Sequence, residues 1–304
     1  MRQFFVAGLC LAFAATRLDA QAPADLTEQP VKVHALTDKA YWVESPIGNS
    51  GFVIGDTGVI AIDALMFPSM SHDELASTAR ITDKPVNAII LSHADPDHIN
   101  GLISFPRGLK VIAQKNTAAE FRAKMASKTA PPVETPPPGT SAYAPTIIIG
   151  DRQQTKIDGV SLELIHVAAA HTDGDLIVNV PSEHIVFAGD ILTPELGAYP
   201  VIHVEERGSA MGWIATVRMM LQLDARTFVS GHGNLVSTAA LRDQLATVER
   251  RRDEVEALVK QGKNLTEIKS ILGDKRWPGF AARFPTFVEV LYDELKPGKA
   301  RSQS

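Results

Sequence analysis

The chain has 304 residues, 45% of them hydrophobic, with a single cysteine and a formal charge of −5. Size alone suggests about two domains, the acidic balance argues against a basic nucleic-acid surface, and one cysteine excludes a disulfide framework.

The amino end, Met1-Arg2-Gln3, is a short basic start, and the apolar stretch 4–15 is too short to span a bilayer. This is the pattern of a secretory signal over 1–20. Cleavage is expected after Leu18-Asp19-Ala20, because a cut after Ala22 would leave Pro23 directly behind it. Removal takes away Arg2, Arg17 and Asp19, which makes the chain one charge more acidic, and it takes Cys10 too. Cys10 lacks a Leu-Ala-Gly context, so no lipid anchor is expected. The expectation is an exported protein, periplasmic or secreted, without a stable membrane anchor.

Segments 31–36, 40–44, 51–54 and 59–63 alternate strand with turn, and Asp56-Thr57-Gly58 signals a hairpin. Asp63, at the end of an apolar strand, reads as a turn residue or as a carboxylate that orients a ligand. Met66, Phe67 and Met70 are candidates for an apolar rim. Ser71-His72-Asp73-Glu74 fits a capping box, which predicts a helix over 72–80 and places His72 on its surface.

Segment 86–92, Val-Asn-Ala-Ile-Ile-Leu-Ser, reads as a strand covered on both faces. His93-Ala94-Asp95-Pro96-Asp97-His98 follows, four potential metal ligands at the carboxyl end of that strand. A rigid sheet holds such a loop while solvent still reaches it. Two imidazoles and two carboxylates suit zinc, iron or manganese. Segment 130–145 holds six prolines with Gly139 and Thr140. It resists regular structure and is expected to be a surface insertion.

Three further strands end on ligand-type residues. Segment 160–167 leads to His171, 184–188 leads through Gly189 to Asp190, and 227–230 leads through Gly231 to His232. The glycines permit tight turns where loops converge. Segment 192–200 has no periodicity and is expected to be a loop beside the metals, with Tyr199 and His203 as candidates for substrate contact or leaving-group protonation. Helices are predicted over 209–223, with Trp213 and Ile214 inward, and over 238–259, where the charged run 249–254 faces solvent. Two more are predicted over 265–272 and 281–295, followed by a disordered tail, 297–304.

The series His-x-Asp-x-Asp-His, His171, a Gly-Asp pair at Asp190 and a Gly-His pair at His232 resembles the metallo-β-lactamase fold superfamily, from about residue 31 to residue 232. The resemblance implies an α/β fold, the four-layer αββα sandwich, as one domain over 21–296 whose halves share a site. By the same resemblance His93, Asp95 and His171 would hold a first metal, Asp97, His98 and His232 a second, and Asp190 would bridge them. The cofactors implied are two divalent ions, zinc foremost. Asp95 departs from the pattern, standing where most members carry a second His. A carboxylate there is harder and charged, so iron or manganese stays open and the bound water should be less acidic. Flavodiiron proteins of the superfamily carry Glu there and bind iron, but they also carry a flavin domain for which this chain has no room. A cysteine-free mature chain also differs from the β-lactamase subclasses with Cys in the second site.

Two such ions lower the pKa of a bridging water from about 16 to roughly 7, so no side-chain nucleophile is needed. Asp97 and Asp190 are then ligands first and proton relays second. The expected activity is hydrolysis of an amide or ester bond in a small molecule such as a lactam or lactone. No basic cluster near the motifs would favour a phosphodiester. Segment 174–181, the Gly189–Leu192 turn and Gly208-Ser209 are similar to exported, quinoprotein-associated or lactamase-like metallohydrolases. A non-haem iron oxidoreductase, a phosphodiester or thioester hydrolase, and a metal-free scaffold are the alternatives.

Overall fold

Alternation along the strands sorts the apolar side chains onto two faces of each of two sheets. The computed structural model describes residues 29–129, 131, 134–277 and 279–297; the signal segment 1–20 and the tail beyond Pro297 lie outside the described residues. In the first sheet β1 (Lys32–Ala35), β2 (Ala40–Glu44), β3 (Ser50–Ile54) and β4 (Val59–Ile62) form an antiparallel meander. β5 (Val86–Ile90), β6 (Lys110–Gln114) and β7 (Ile147–Ile149) then add in parallel. The second sheet runs in reverse order from β13 (Val236–Ser237) through β12 (Thr227–Val229), β11 (Ile185–Phe187), β10 (Ile177–Val180) and β9 (Val160–Ile165) to β8 (Arg152–Ile157).

Ile60 and Ile62 of β4, Ile90 of β5 and Ile112 of β6 face Leu162, Leu164, Val178 and Phe187 of the other sheet in one core. The opposite faces of the same strands carry Ala61, Ile89 and Val111, which pack under α3 (Lys115–Ala126) with Phe121. On the second sheet Ile177, Val186 and Phe228 face outward onto α4 (Ala210–Met220), α5 (Thr238–Lys260) and α7 (Phe287–Leu295). Helices therefore cover both outer faces, and the fold is the four-layer αββα sandwich. The two sheets approach closely at β3, where a Cβ on Gly51 would sit 2.3 Å from the Phe187 ring. Among the described residues no helix is long and apolar enough to cross a membrane.

Several local expectations need correction. α1 spans Pro68–Ile81, with Pro68 supplying its start and Phe67 at the cap without a side-chain hydrogen bond. Ser71 is buried and donates to Ala64 O at 2.6 Å, while Glu74 accepts from Ser50 Oγ at 2.9 Å. Neither caps, because both point into the protein; His72 is exposed as expected. Met70 lies in the core under α1 with Phe67 packed against it, and Met66 is buried, so these three are packing and not a rim. The predicted helix 281–295 is a 3₁₀ turn, Gly279–Arg283, then α7 beginning after Pro285. The helix predicted over 265–272 is present as α6 (Leu265–Leu272).

Candidate metal centre

The first sheet delivers its ligand-type residues from the end of β5 and from α2 (Pro96–Ile99), a single turn that starts at a proline. His93 and Asp95 lie on the loop, Asp97 and His98 on α2. The second sheet delivers His171 beyond β9, Asp190 in a 3₁₀ turn after β11 (Gly189–Ile191), and His232 after β12. That 3₁₀ turn is pinned from outside, since Trp213 of α4 donates Nε1–H to Ile191 O at 2.6 Å. Space is minimal. A Cβ on Gly231 would lie 1.9 Å from Asp190 Oδ1, and Gly189 has φ +54° with Ser92 Oγ 2.5 Å from where its Cβ would stand.

All seven residues converge. Asp190 Oδ2 is 3.9 Å from His93 Nε2, 3.8 Å from His171 Nε2 and 3.2 Å from His232 Nε2, while its Oδ1 is 3.1 Å from His98 Nε2. Asp95 Oδ2 lies 3.8 Å from His93 Nε2 and 3.3 Å from His171 Nε2. On the other side Asp97 Oδ2 lies 3.1 Å from His232 Nε2 and 3.9 Å from His98 Nε2. Three donor groups result: His93, Asp95 and His171; Asp97, His98 and His232; and His93, His98 and Asp190 between them.

Each histidine is oriented from behind. Ser92 Oγ donates to Asp63 Oδ2 at 2.7 Å, so at 2.8 Å it accepts from His93 Nδ1–H. His98 Nδ1 faces Asp63 Oδ2 at 3.0 Å, His171 Nδ1 donates to Val201 O at 3.0 Å, and His232 Nδ1 is 3.3 Å from Glu195 Oε1. Every Nδ1 thus has a partner, and every Nε2 points inward. Asp63 is the orienting carboxylate, the second of its two sequence readings. Asn49 holds the His232 loop by donating Nδ2–H to Ser230 O at 3.1 Å and to Gly233 O at 2.8 Å.

The inward atoms fit a cation. His93 Nε2, His98 Nε2 and Asp190 Oδ1 are buried without a hydrogen-bond partner, although they approach one another closely. Leaving such atoms unsatisfied costs about 1–3 kcal/mol each, a cost that a shared cation removes. Burial works against the Asp190 carboxylate, but His232 and His98 outweigh it and hold its pKa well below the usual value. Burial likewise opposes the His171 cation, yet Asp95 and Asp190 raise it to about 10. His93 instead falls to about 4 through burial and the neighbouring His98.

Beside Asp95 opens a cleft of about 630 Å³ lined by Lys124, His203, Glu206, Phe284, Pro131 and Glu134 among others. His203, one of the two predicted contact residues, belongs here. Its Nδ1 is 3.3 Å from Asp95 Oδ2 but out of hydrogen-bonding alignment, and its ring meets Phe284 edge-on at 5.1 Å. Tyr199 does not face the site; it stacks on Phe287 at 5.5 Å under the Arg251 guanidinium. The proline-rich segment is more than an insertion, because Pro131 and Glu134 form part of the cleft wall and Glu134 pairs with Arg283. Lys124, Glu206 and Phe284 were not anticipated, since each comes from an element whose sequence carries no ligand pattern.

The sequence model of the metallo-beta-lactamase superfamily matches residues 46–232. The chain belongs to this superfamily. Among curated relatives, it is 26% identical over 210 residues to the 2,4-dinitroanisole O-demethylase subunit alpha of Nocardioides sp. (strain JS1661), covering 68% of this chain and 57% of that subunit. This superfamily member therefore spans little more than half the length of that relative. Among solved structures, the stereoselective inverting sec-alkylsulfatase from Pseudomonas sp. aligns with a TM-score of 0.66 at 18% identity, over 87% of this chain and 50% of that one. The mono-zinc form of the FIM-1 metallo-beta-lactamase from Pseudomonas aeruginosa aligns at 0.59 and 14% identity, over 74% and 97%. This member of the superfamily thus brings together, at the junction of its two sheets, His and Asp clusters that could hold a metal ion.

Proposed function

We propose that the enzyme hydrolyses an ester or amide bond of a small, uncharged organic molecule, using two divalent metal ions. The observation that carries the proposal is Asp190, whose two oxygens lie within 3.9 Å of the Nε2 atoms of four histidines from both donor groups. Asp190 would therefore be the ligand shared by the two ions. His93, Asp95 and His171 would hold one ion and Asp97, His98 and His232 the other, zinc being the metal a His-rich N/O set suits best. Bound there, such ions would supply the hydroxide for hydrolysis near neutral pH and polarise the scissile carbonyl oxygen.

The chain itself positions, excludes water and moves protons. The cleft takes the substrate's acyl portion against Phe284 and the prolines of its wall. Asp97, partly open to solvent and 3.1 Å from His232, is placed to pass a proton to the leaving group. Both cleft cations are already committed: Lys124 pairs with Asp95 and Glu206, and Arg283 with Glu134. A sulfate or phosphate ester would have to break these pairs, so a neutral substrate is favoured. A second reading, cleavage of an aryl ether, is supported by the demethylase relative and by the aromatic wall at Phe284.

The test is a panel on metal-loaded protein: p-nitrophenyl esters, lactones, lactams, an activated aryl methyl ether and an aryl sulfate. The acyl compounds should turn over and lose turnover with a chelator. Exclusive turnover of the ether would replace the first reading with the second, and exclusive turnover of the sulfate would overturn both.

A further inference from the structure

The departure at Asp95 has a counterpart in the structure. Lys124, near the end of α3, reaches back to place its Nζ 2.9 Å from Asp95 Oδ1 and 2.6 Å from Glu206 Oε1. Only Asp95 Oδ2 then faces the centre, 3.8 Å from His93 Nε2 and 3.3 Å from His171 Nε2. Asp95, His203 and Glu206 lie close enough together to hold a cation themselves. The Lys124 ammonium contacts both carboxylates of that trio, so the positive charge among them comes from the protein.

We propose that Lys124 turns Asp95 into the counterpart of a histidine: it takes up one carboxylate oxygen and, shared with Glu206, offsets part of the charge, leaving a single, less negative donor atom toward the first metal. Lys124 is a positioning residue in this role. A carboxylate free of it would offer two hard oxygens and a full negative charge, which favours manganese or iron over zinc. With the lysine in place the ligand set matches the donor count of a His-only first site at a reduced negative charge, and zinc preference is kept. Exchanging Lys124 for a neutral residue therefore changes what Asp95 is, without touching a ligand.

This inference rests on the metal centre proposed above, so the experiment begins with the parent protein. Metal-free protein is titrated with Zn(II) and Mn(II) against a chelator, and the Co(II)-loaded form is followed by its visible absorption. Removal of outer partners of ligands commonly changes metal affinity 10–100-fold. Lys124→Met should raise the Mn(II)-to-Zn(II) affinity ratio by about tenfold or more and weaken the Co(II) absorption as a second oxygen joins the coordination. Lys124→Arg, which keeps the charge, should behave as the parent, and in an Asp95→His background Lys124→Met should leave both readouts unchanged. An unaltered ratio in Lys124→Met, or an equal shift in both backgrounds, overturns the role. If Lys124→Met does not fold, rescue by adding Asp95→His supports it, and failure of both to fold overturns it as merely structural. A parent that takes up no metal overturns the centre itself, an outcome distinct from all the others.

Discussion

Asp63 Oδ2 lies 3.0 Å from His98 Nδ1 and also accepts from Ser92 Oγ at 2.7 Å, while Asp63 Oδ1 accepts the Ser92 amide at 2.7 Å. Because Ser92 in turn holds His93, one carboxylate orients a histidine in each donor group. It does so from a left-handed backbone, φ +61°, a region where Asp and Asn are tolerated better than most residues.

Asp63→Asn should keep the backbone but spoil this arrangement, since an amide cannot accept from three donors with the same strength. We expect metal affinity to fall about 10–100-fold, read by chelator competition, with circular dichroism unchanged. An affinity equal to the parent's would show that Asp63 is only a turn residue.

Asp190→Ala removes the atom set shared by both donor groups. Elemental analysis of the purified variant should find both sites depleted, and hydrolysis should be lost with them. Full metal content with unaltered turnover would mean that Asp190 does not bridge.

Gly231→Ala tests the same point without deleting a ligand. Its new methyl group would stand 1.9 Å from Asp190 Oδ1 and 2.8 Å from Asp190 N, so the carboxylate must shift. Weaker metal binding is expected in a protein that still folds, at a cost of about 1–3 kcal/mol for forcing an extra carbon into a packed site. Wild-type affinity in this variant would contradict the tight placement of the two loops.

Glu74 gives a pH prediction. It ionises at 4.5 when unperturbed, and burial raises it to about 8 in the fold, where Ser50 donates to it. Between these values the native state holds a proton that the unfolded chain has lost, so the stability is complete below the lower value and is lost as pH rises through the higher. Glu74→Gln should be insensitive to this titration and should melt higher than the parent at about pH 9 by roughly 1–3 kcal/mol, with little difference near pH 5. Parallel melting curves across that range would refute the buried acid.

Tyr199→Phe and Phe284→Ala separate two aromatic residues near the site. Tyr199 packs on Phe287, so losing its hydroxyl should leave kcat/KM unchanged. Phe284 lines the cleft and touches both His171 and His203 edge-on, so truncation should raise KM by about tenfold with a smaller effect on kcat. The reverse pattern would move the substrate to the other side of the loop.

The strands and the seven converging residues were legible because their signals are local: a short apolar run, then a His or Asp at its end. The sandwich followed from resemblance and from the need of two half-sites to share a centre. Helix ends were misread where the deciding partner is distant. Ser71 and Glu74 have capping spacing, yet Ala64 and Ser50 claim their side chains. The trio around Asp95 was invisible for the same reason: Lys124 looks like one more charge on a helix, and nothing near it in sequence shows that it ends at a residue 29 positions earlier. Asn49 likewise reaches the His232 loop from 181 positions away.

The ligand inventory is divided between the sheets, with His93, Asp95, Asp97 and His98 on one and His171, Asp190 and His232 on the other. Neither half owns a complete set, since each of the three donor groups formed by these seven residues combines ligands of the first sheet with Asp190, His171 or His232 of the second. A cation held at the seam would therefore act as a rivet between the two sheets, added to their apolar packing, loop hydrogen bonds and the Lys124–Glu206 ion pair. Gly150 and Asp151, between β7 and β8, make the covalent connection between them, so a chain cut there would have its halves rejoined by the ion in place of the peptide.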